Sequence, residues 1–178
     1  MAGIPELLGA LTGSEWGPAR DALKGVEAAG EWRAAFEAVR NAGSASAAVR
    51  EGFHTLWTEK GHRIREGISD DNLLLGALRA LLPPYSGEGA TLFRGESVDR
   101  WKAGKCGLCW SAKEGVARMF ASGLNAYPPA GGVLLRTTAP ASAIIASPGA
   151  HSLYLGEFEY VLDWRGLDIC VMAHFPPV

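Results

Sequence analysis

The sequence predicts an α+β protein, with helices first and strands after. Three observations carry this. Residues 1–87 place apolar side chains at helical spacing, residues 88–178 break into short apolar runs bounded by glycine and proline, and Pro83-Pro84-Tyr85-Ser86-Gly87 separates the two. A chain of 178 residues is expected to be a single domain over 1–178, with 1–87 as a helical lead-in and 88–178 as the mainly stranded core. At 48% hydrophobic and 20% charged, it has apolar surface enough to build a core.

The helical part is read in three segments. Pro18 opens the first, which runs to about Arg40 with Leu23, Val26, Trp32, Phe36 and Val39 near helical spacing. Ser44 or Ser46 caps the second, carrying Val49, Phe53, Leu56 and Trp57, and Gly61 ends or interrupts it. Ser69 caps the third, with Asp70 and Asp71 in the first turn complementing the helix dipole. Its stripe is Leu74, Leu75, Leu78, Leu81 and Leu82, and Pro83-Pro84 stops it. Trp16, Trp32 and Trp57 are expected to serve helix packing.

In the second part, 91–94, 107–111, 132–138, 143–146, 158–163 and 168–173 read as strands, with one helix at about 113–121. Helices followed by short strands suit α+β.

Composition excludes several functions. Lys plus Arg is 17 and Asp plus Glu is 19, a net charge of −2, so binding to nucleic acid is not indicated. No apolar run approaches a membrane span, and residues 1–17 lack a basic start and an apolar core, so a cytoplasmic location is expected. An effector delivered without a cleaved signal fits equally. Phosphate-loop, dinucleotide-fold, HExxH and GxSxG signatures are absent. Cys106-Gly107-Leu108-Cys109 is a lone CxxC; a structural zinc needs four ligands, and Cys170 with His174 makes a poor completion, so no metal is expected and the thiols read as buried structural groups.

One constellation carries chemistry. Leu92-Phe93-Arg94-Gly95 lies on the first strand, Gly107-Leu108-Cys109-Trp110-Ser111 on the next, and Glu157-Phe158-Glu159-Tyr160 near the end. Strand alternation puts Glu157 and Glu159 on one side and Phe158 and Tyr160 on the other. Two carboxylates, an arginine and a hydroxyl from three strands make a ligand cleft.

That order resembles the ADP-ribosyltransferase family, in its arginine–serine–glutamate class, over about residues 90–168. The family's strand Arg-Gly looks like Arg94-Gly95, its Ser-Thr-Ser like Cys109-Trp110-Ser111, and its Gln/Glu-x-Glu like Glu157-Phe158-Glu159. Cys109 stands where the family has a serine that helps hold the catalytic glutamate, Trp110 replaces the threonine, and Ser111 is retained. Phe120, nine residues after Ser111, sits where the family often has an aromatic that stacks on nicotinamide.

The resemblance implies an ADP-ribosyltransferase-like core of two packed sheets preceded by helices. It implies NAD as substrate and mono-ADP-ribosylation of a macromolecule, expected to be a protein and modified on arginine. Catalysis would fall to Glu159, at the ribose, and Glu157, which activates the acceptor. Arg94, Gly95, Cys109, Ser111 and Phe120 would bind NAD, with the Gly95 backbone against nicotinamide. Residues 147–154 would face the acceptor, with Tyr154 touching it. The alternatives are an NAD glycohydrolase with water as acceptor, a non-catalytic binding or inhibitor module on the same fold, and a zinc-held interaction domain.

Overall fold

A computed structural model describes residues 3–178. The chain divides into two compact units, Met1–Pro84 and Tyr85–Val178.

The first unit is helical: α1 (Ile4–Ala10), α2 (Trp16–Ala29), α3 (Trp32–Ala42), α4 (Ala47–Ile68) and α5 (Asp71–Leu81). The segment expected to run from Pro18 to Arg40 is two helices. Gly30 takes φ 68° and caps α2, its amide and that of Glu31 donating to the Glu27 and Val26 carbonyls. Ser46 is the cap of α4, its hydroxyl accepting from the Val49 amide. Gly61 does not stop that helix. It lies against the Trp57 indole, where a Cβ would press at 3.0 Å, so the glycine serves packing inside α4. The cap of α5 is Asp70, not Ser69: the Asp70 carboxylate accepts from Leu73, while Ser69 closes α4 at φ 52°. Leu74, Leu75, Leu78 and Leu81 are buried on α5, and the helix stops before Pro83. None of the described helices is long and apolar enough to cross a membrane.

The second unit holds β1 (Ala90–Ser97), α6 (Val98–Lys102), β2 (Cys109–Ser111), α7 (Glu114–Ser122), β3 (Gly132–Ala139), β4 (Ile144–Ala146), α8 (Ala150–Leu155), β5 (Glu159–Leu162) and β6 (Ile169–Phe175). The strands are antiparallel in the order β4-β5-β2-β1-β3-β6. The architecture is α+β, as the sequence predicts. The expected pair of sheets is instead one sheet, because β1 and β2 join. They do so through a single register pair, Phe93 with Ser111. On either side the ladders are longer: β1 matches β3 over eight pairs from Ala90–Ala139 to Ser97–Gly132, and β2 matches β5 over three. The sheet is thus two three-stranded halves with a thin seam.

One cluster of buried residues, including Leu92, Trp110, Leu135, Ile144 and Leu162, forms the core of this unit. A smaller cluster of Ala117, Ala121 and Leu134 seats α7. Small residues let the helix come close. A Cβ on Gly95 would overlap the Ala117 carbonyl oxygen and the Ala121 amide nitrogen, and one on Gly132 would overlap the Ala121 carbonyl. The missing Cβ at position 95 therefore makes room for α7.

Gly95→Ala forces backbone apart and is expected to destabilise the protein by ~1–3 kcal/mol or more. Gly115→Ala, in the first turn of α7 with nothing within 4 Å of a new Cβ, is expected to be neutral or stabilising. Urea midpoints of the two variants check this; equal midpoints would remove the close approach of α7 as an explanation for Gly95.

Candidate functional site

A cleft of about 330 Å³ opens at the seam between β1 and β2. Arg94 and Gly95 reach it from β1, Cys109 and Ser111 from β2, Phe120 from α7, Glu159 from the first residue of β5 and Glu157 from the segment before it. Seven residues singled out in the sequence therefore line one cleft. Tyr154 does not: it is 86% exposed on α8, stacked on His151 with centroids 6.5 Å apart. Leu124, Asn125 and Tyr127, in the segment after α7, also line the cleft and were missed, since nothing in their spacing marks them. Asn125 fixes that segment by donating from Nδ2 to the Gly95 carbonyl at 2.8 Å.

The two carboxylates converge by a route other than strand alternation. β5 begins only at Glu159, and Phe158 sits in the left-handed region at φ 52°. Gly156, at φ 74°, ends α8 just before. Glu157 and Phe158 thus form a turn. Ser111 anchors it: its hydroxyl donates to the Glu157 carbonyl at 2.7 Å and accepts from the Lys113 amide at 3.1 Å. Ser152 holds the other side, its hydroxyl accepting from the Glu159 amide at 2.8 Å. The Lys113 ammonium lies 5.3 Å from the centre of the Phe158 ring, which turns that aromatic toward a cation.

Arg94 is less available than the sequence suggests. Its Nε donates to Glu96 Oε2 at 3.0 Å, its Nη2 pairs with the same oxygen at 2.9 Å, and its Nη1 donates to the Cys109 carbonyl. Burial works against its charge, but the Glu96 carboxylate overrides this and holds the guanidinium firmly protonated. A guanidinium has five N–H donors, so two remain for a ligand. Glu96 is 1% exposed and was missed in the sequence. Burial pushes its carboxyl up, yet Arg94, the Gly107 amide, Arg100 and the Ser97 amide together hold it below the usual range. The CxxC belongs to this arrangement. Gly107 has no room for a Cβ beside the Arg94 guanidinium, its amide donates to Glu96 at 2.9 Å, and its carbonyl accepts from Trp110 Nε1 at 3.1 Å. Cys106 is buried, Cys109 partly so, and Cys170 exposed, so the reading of all three as buried thiols holds for one. Among the described residues no cluster of three His, Cys, Asp or Glu is placed to hold a metal.

Glu159 has a strongly perturbed acidity. Burial first and the Glu157 charge second raise its carboxyl to about 7, against the opposing pull of Arg94 and a hydrogen bond from the Cys109 side chain. That last contact gives Cys109 a role at this position: a thiol donates to the carboxylate. Glu157 is also raised, by burial, with His151 opposing. A partly dehydrated carboxylate pair beside an arginine suits a ligand with both cationic and anionic parts.

No family model matches the chain, and no curated protein or solved structure is significantly similar to it.

A carboxyl that is more acidic unfolded than folded favours the folded state only while protonated. Its contribution is complete below the unfolded value near 4.5 and is lost as pH rises through about 7. Glu159→Gln, which cannot ionise, is therefore expected to unfold at a higher temperature than the native protein at pH 8, with the gap narrowing to nothing near pH 4.5. Melting curves across this range test it; a constant gap would mean Glu159 is not destabilised by its surroundings. By the same reasoning Glu157→Gln removes a repelling charge, and the Glu159 carboxyl followed by NMR is expected to titrate at lower pH.

Proposed function

We propose that this chain is an NAD-dependent mono-ADP-ribosyltransferase that modifies a macromolecular acceptor, with arginine the acceptor residue that its chemistry suits. The observation that carries the reading is that Glu159, Glu157, Arg94, Ser111 and Phe120 share one cleft although they come from separate places in the sequence. The hydrogen bond between Cys109 and Glu159 adds to it. A thiol here does the holding that the resemblance assigns to a serine, which argues against a degraded, non-catalytic module.

The chemistry needs little else. When the C1′–nitrogen bond of NAD breaks, its electron pair leaves with nicotinamide, which departs neutral, and positive charge develops on the ribose. A carboxylate that the protein has partly stripped of water is a strong partner for that charge. Glu159 is such a group: the energy set against its ionisation in the empty cleft is recovered as the sugar cation forms. The two unused Arg94 donors would meet phosphate oxygens, and the Phe120 ring would lie along the nicotinamide. The acceptor nitrogen then attacks C1′ and loses a proton. Glu157, weakened as an acid by burial, takes that proton and orients the incoming guanidinium.

Incubation with labelled NAD and cell lysate tests the assignment: a labelled macromolecule supports it, and labelled ADP-ribose alone would favour the glycohydrolase. Glu159→Gln is expected to cost roughly a hundredfold or more in NAD cleavage. Turnover near that of the native protein would sink the mechanism. Because Glu159 must be ionised, kcat/KM is expected to rise with pH through about 7 and then level. Glu157→Gln is expected to abolish labelling of acceptors while leaving NAD hydrolysis; equal loss of both would move Glu157 to the cleavage step. Arg94→Lys, which keeps charge but loses the planar fork, is expected to weaken NAD binding measured by calorimetry.

A further inference from the structure

Glu96 is a buried carboxylate to which the proposed reaction gives no part. It lies on β1 two residues from Arg94 and takes the Nε and Nη2 edge of that guanidinium at 3.0 and 2.9 Å. The Gly107 amide, from the segment before β2, donates to the same oxygen, Oε2, while the other oxygen faces Arg100 of α6 at 3.2 Å and the Ser97 amide at 3.0 Å. Arg94 is gripped from the far side as well, by the Cys109 carbonyl. The guanidinium is thus held at both ends.

What it is held from is Glu159. The groups that face the Glu159 carboxylate are Glu157 from its own turn, Arg94 from β1 and Cys109 from β2. Arg94 and Glu159 line the same cleft, and their charges attract, yet among the described residues Arg94 pairs with Glu96 and not with Glu159. Opposite charges that line one cleft close on one another unless one is restrained. Such closure would neutralise Glu159 and occupy the donors of Arg94 at once.

We propose that Glu96 is a positioning residue which, by holding one edge of Arg94, keeps the guanidinium from closing onto Glu159 and so leaves the carboxylate for the sugar and the outer Arg94 donors for the ligand. The inference rests on the assignment of Glu159 as the group that meets the sugar cation. A residue that merely satisfied backbone amides would affect stability when replaced but would leave the titration of Glu159 alone.

The test is a carbon-13 carboxyl NMR titration of the full chain without ligand, with the Glu159 signal assigned by its disappearance in Glu159→Gln. In Glu96→Gln the released Arg94 is expected to pair with Glu159 and lower its titration point from about 7 by about 1–3 pH units. An unmoved Glu159 in a folded Glu96→Gln protein overturns the proposal. If that variant does not unfold cooperatively, Glu96→Asp keeps the charge and withdraws the carboxylate by one methylene. The same direction of shift is expected there, of about half a pH unit or more, and no shift overturns the proposal. No NAD turnover enters the measurement. A shifted titration in a protein that never cleaves NAD would discard the enzymatic reading and leave the coupling of Glu96, Arg94 and Glu159; an unmoved titration in an active enzyme would do the reverse.

Discussion

The ion pair between Glu96 and Arg94 holds the stranded unit together where its backbone does not. Between β1 and β2 the ladder contributes one register pair. Glu96 adds a hydrogen bond from the Gly107 amide, and Arg94 adds one to the Cys109 carbonyl, so a single buried pair of side chains crosses from β1 to the segment leading into β2 at two points. Breaking one member of such a pair costs far more than the pair contributes intact, because the other is left charged and dry. Gly107 is glycine because the guanidinium lies against it, and Trp110 turns its indole back to the Gly107 carbonyl. The whole segment from Cys106 to Ser111 is shaped around this pair.

Cleft and seam are then one feature. Where strands are fully paired a sheet offers no opening; where β1 and β2 part, the side chains on either side line a hollow. Ser111 belongs to both, as the register partner of Phe93 and as the anchor of the Glu157 turn. Glu159 is correspondingly uncomfortable. It is ionisable, partly buried and beside a second carboxylate, and the rest of the unit, with α7 packed on β1 and β3, must carry that cost.

Much of this was legible in the residues, and the reasons for what was not are specific. Local signals with one meaning read correctly: the leucine stripe of α5, the proline stop after it, the serine cap of α4. Signals with two meanings did not. Gly30 and Gly61 are the same residue type in helical surroundings, yet one ends a helix and the other admits a tryptophan ring. Ser69 and Asp70 are both good caps, and only the left-handed turn at Ser69 decides between them. In the cleft, Arg94, Ser111 and Glu159 stood out from their order along the chain. Glu96 did not, although alternation puts it on the same face of β1 as Arg94, because an Arg-x-Glu on a strand reads as a solvated pair until its burial is known. The turn at Phe158 was hidden for a related reason: a sequence of acid, aromatic, acid, aromatic reads as a strand, and only the hydrogen bonds from Ser111 and Ser152 reveal the bend.

The thin seam also gives the unit a particular response to acid. Carboxylates that are stabilised in the folded state lose that advantage when protonated, and Glu96 is one of these. Once it is neutral, Arg94 has no counter-charge on β1, and the link that the pair adds beside the single register pair of Phe93 with Ser111 is weakened. Acid therefore loosens the join between β1 and β2, while the shared core of Leu92, Trp110, Leu135, Ile144 and Leu162 still bridges the two halves. The cleft lies on that join, so protonation of Glu96 acts on the same arginine that lines it.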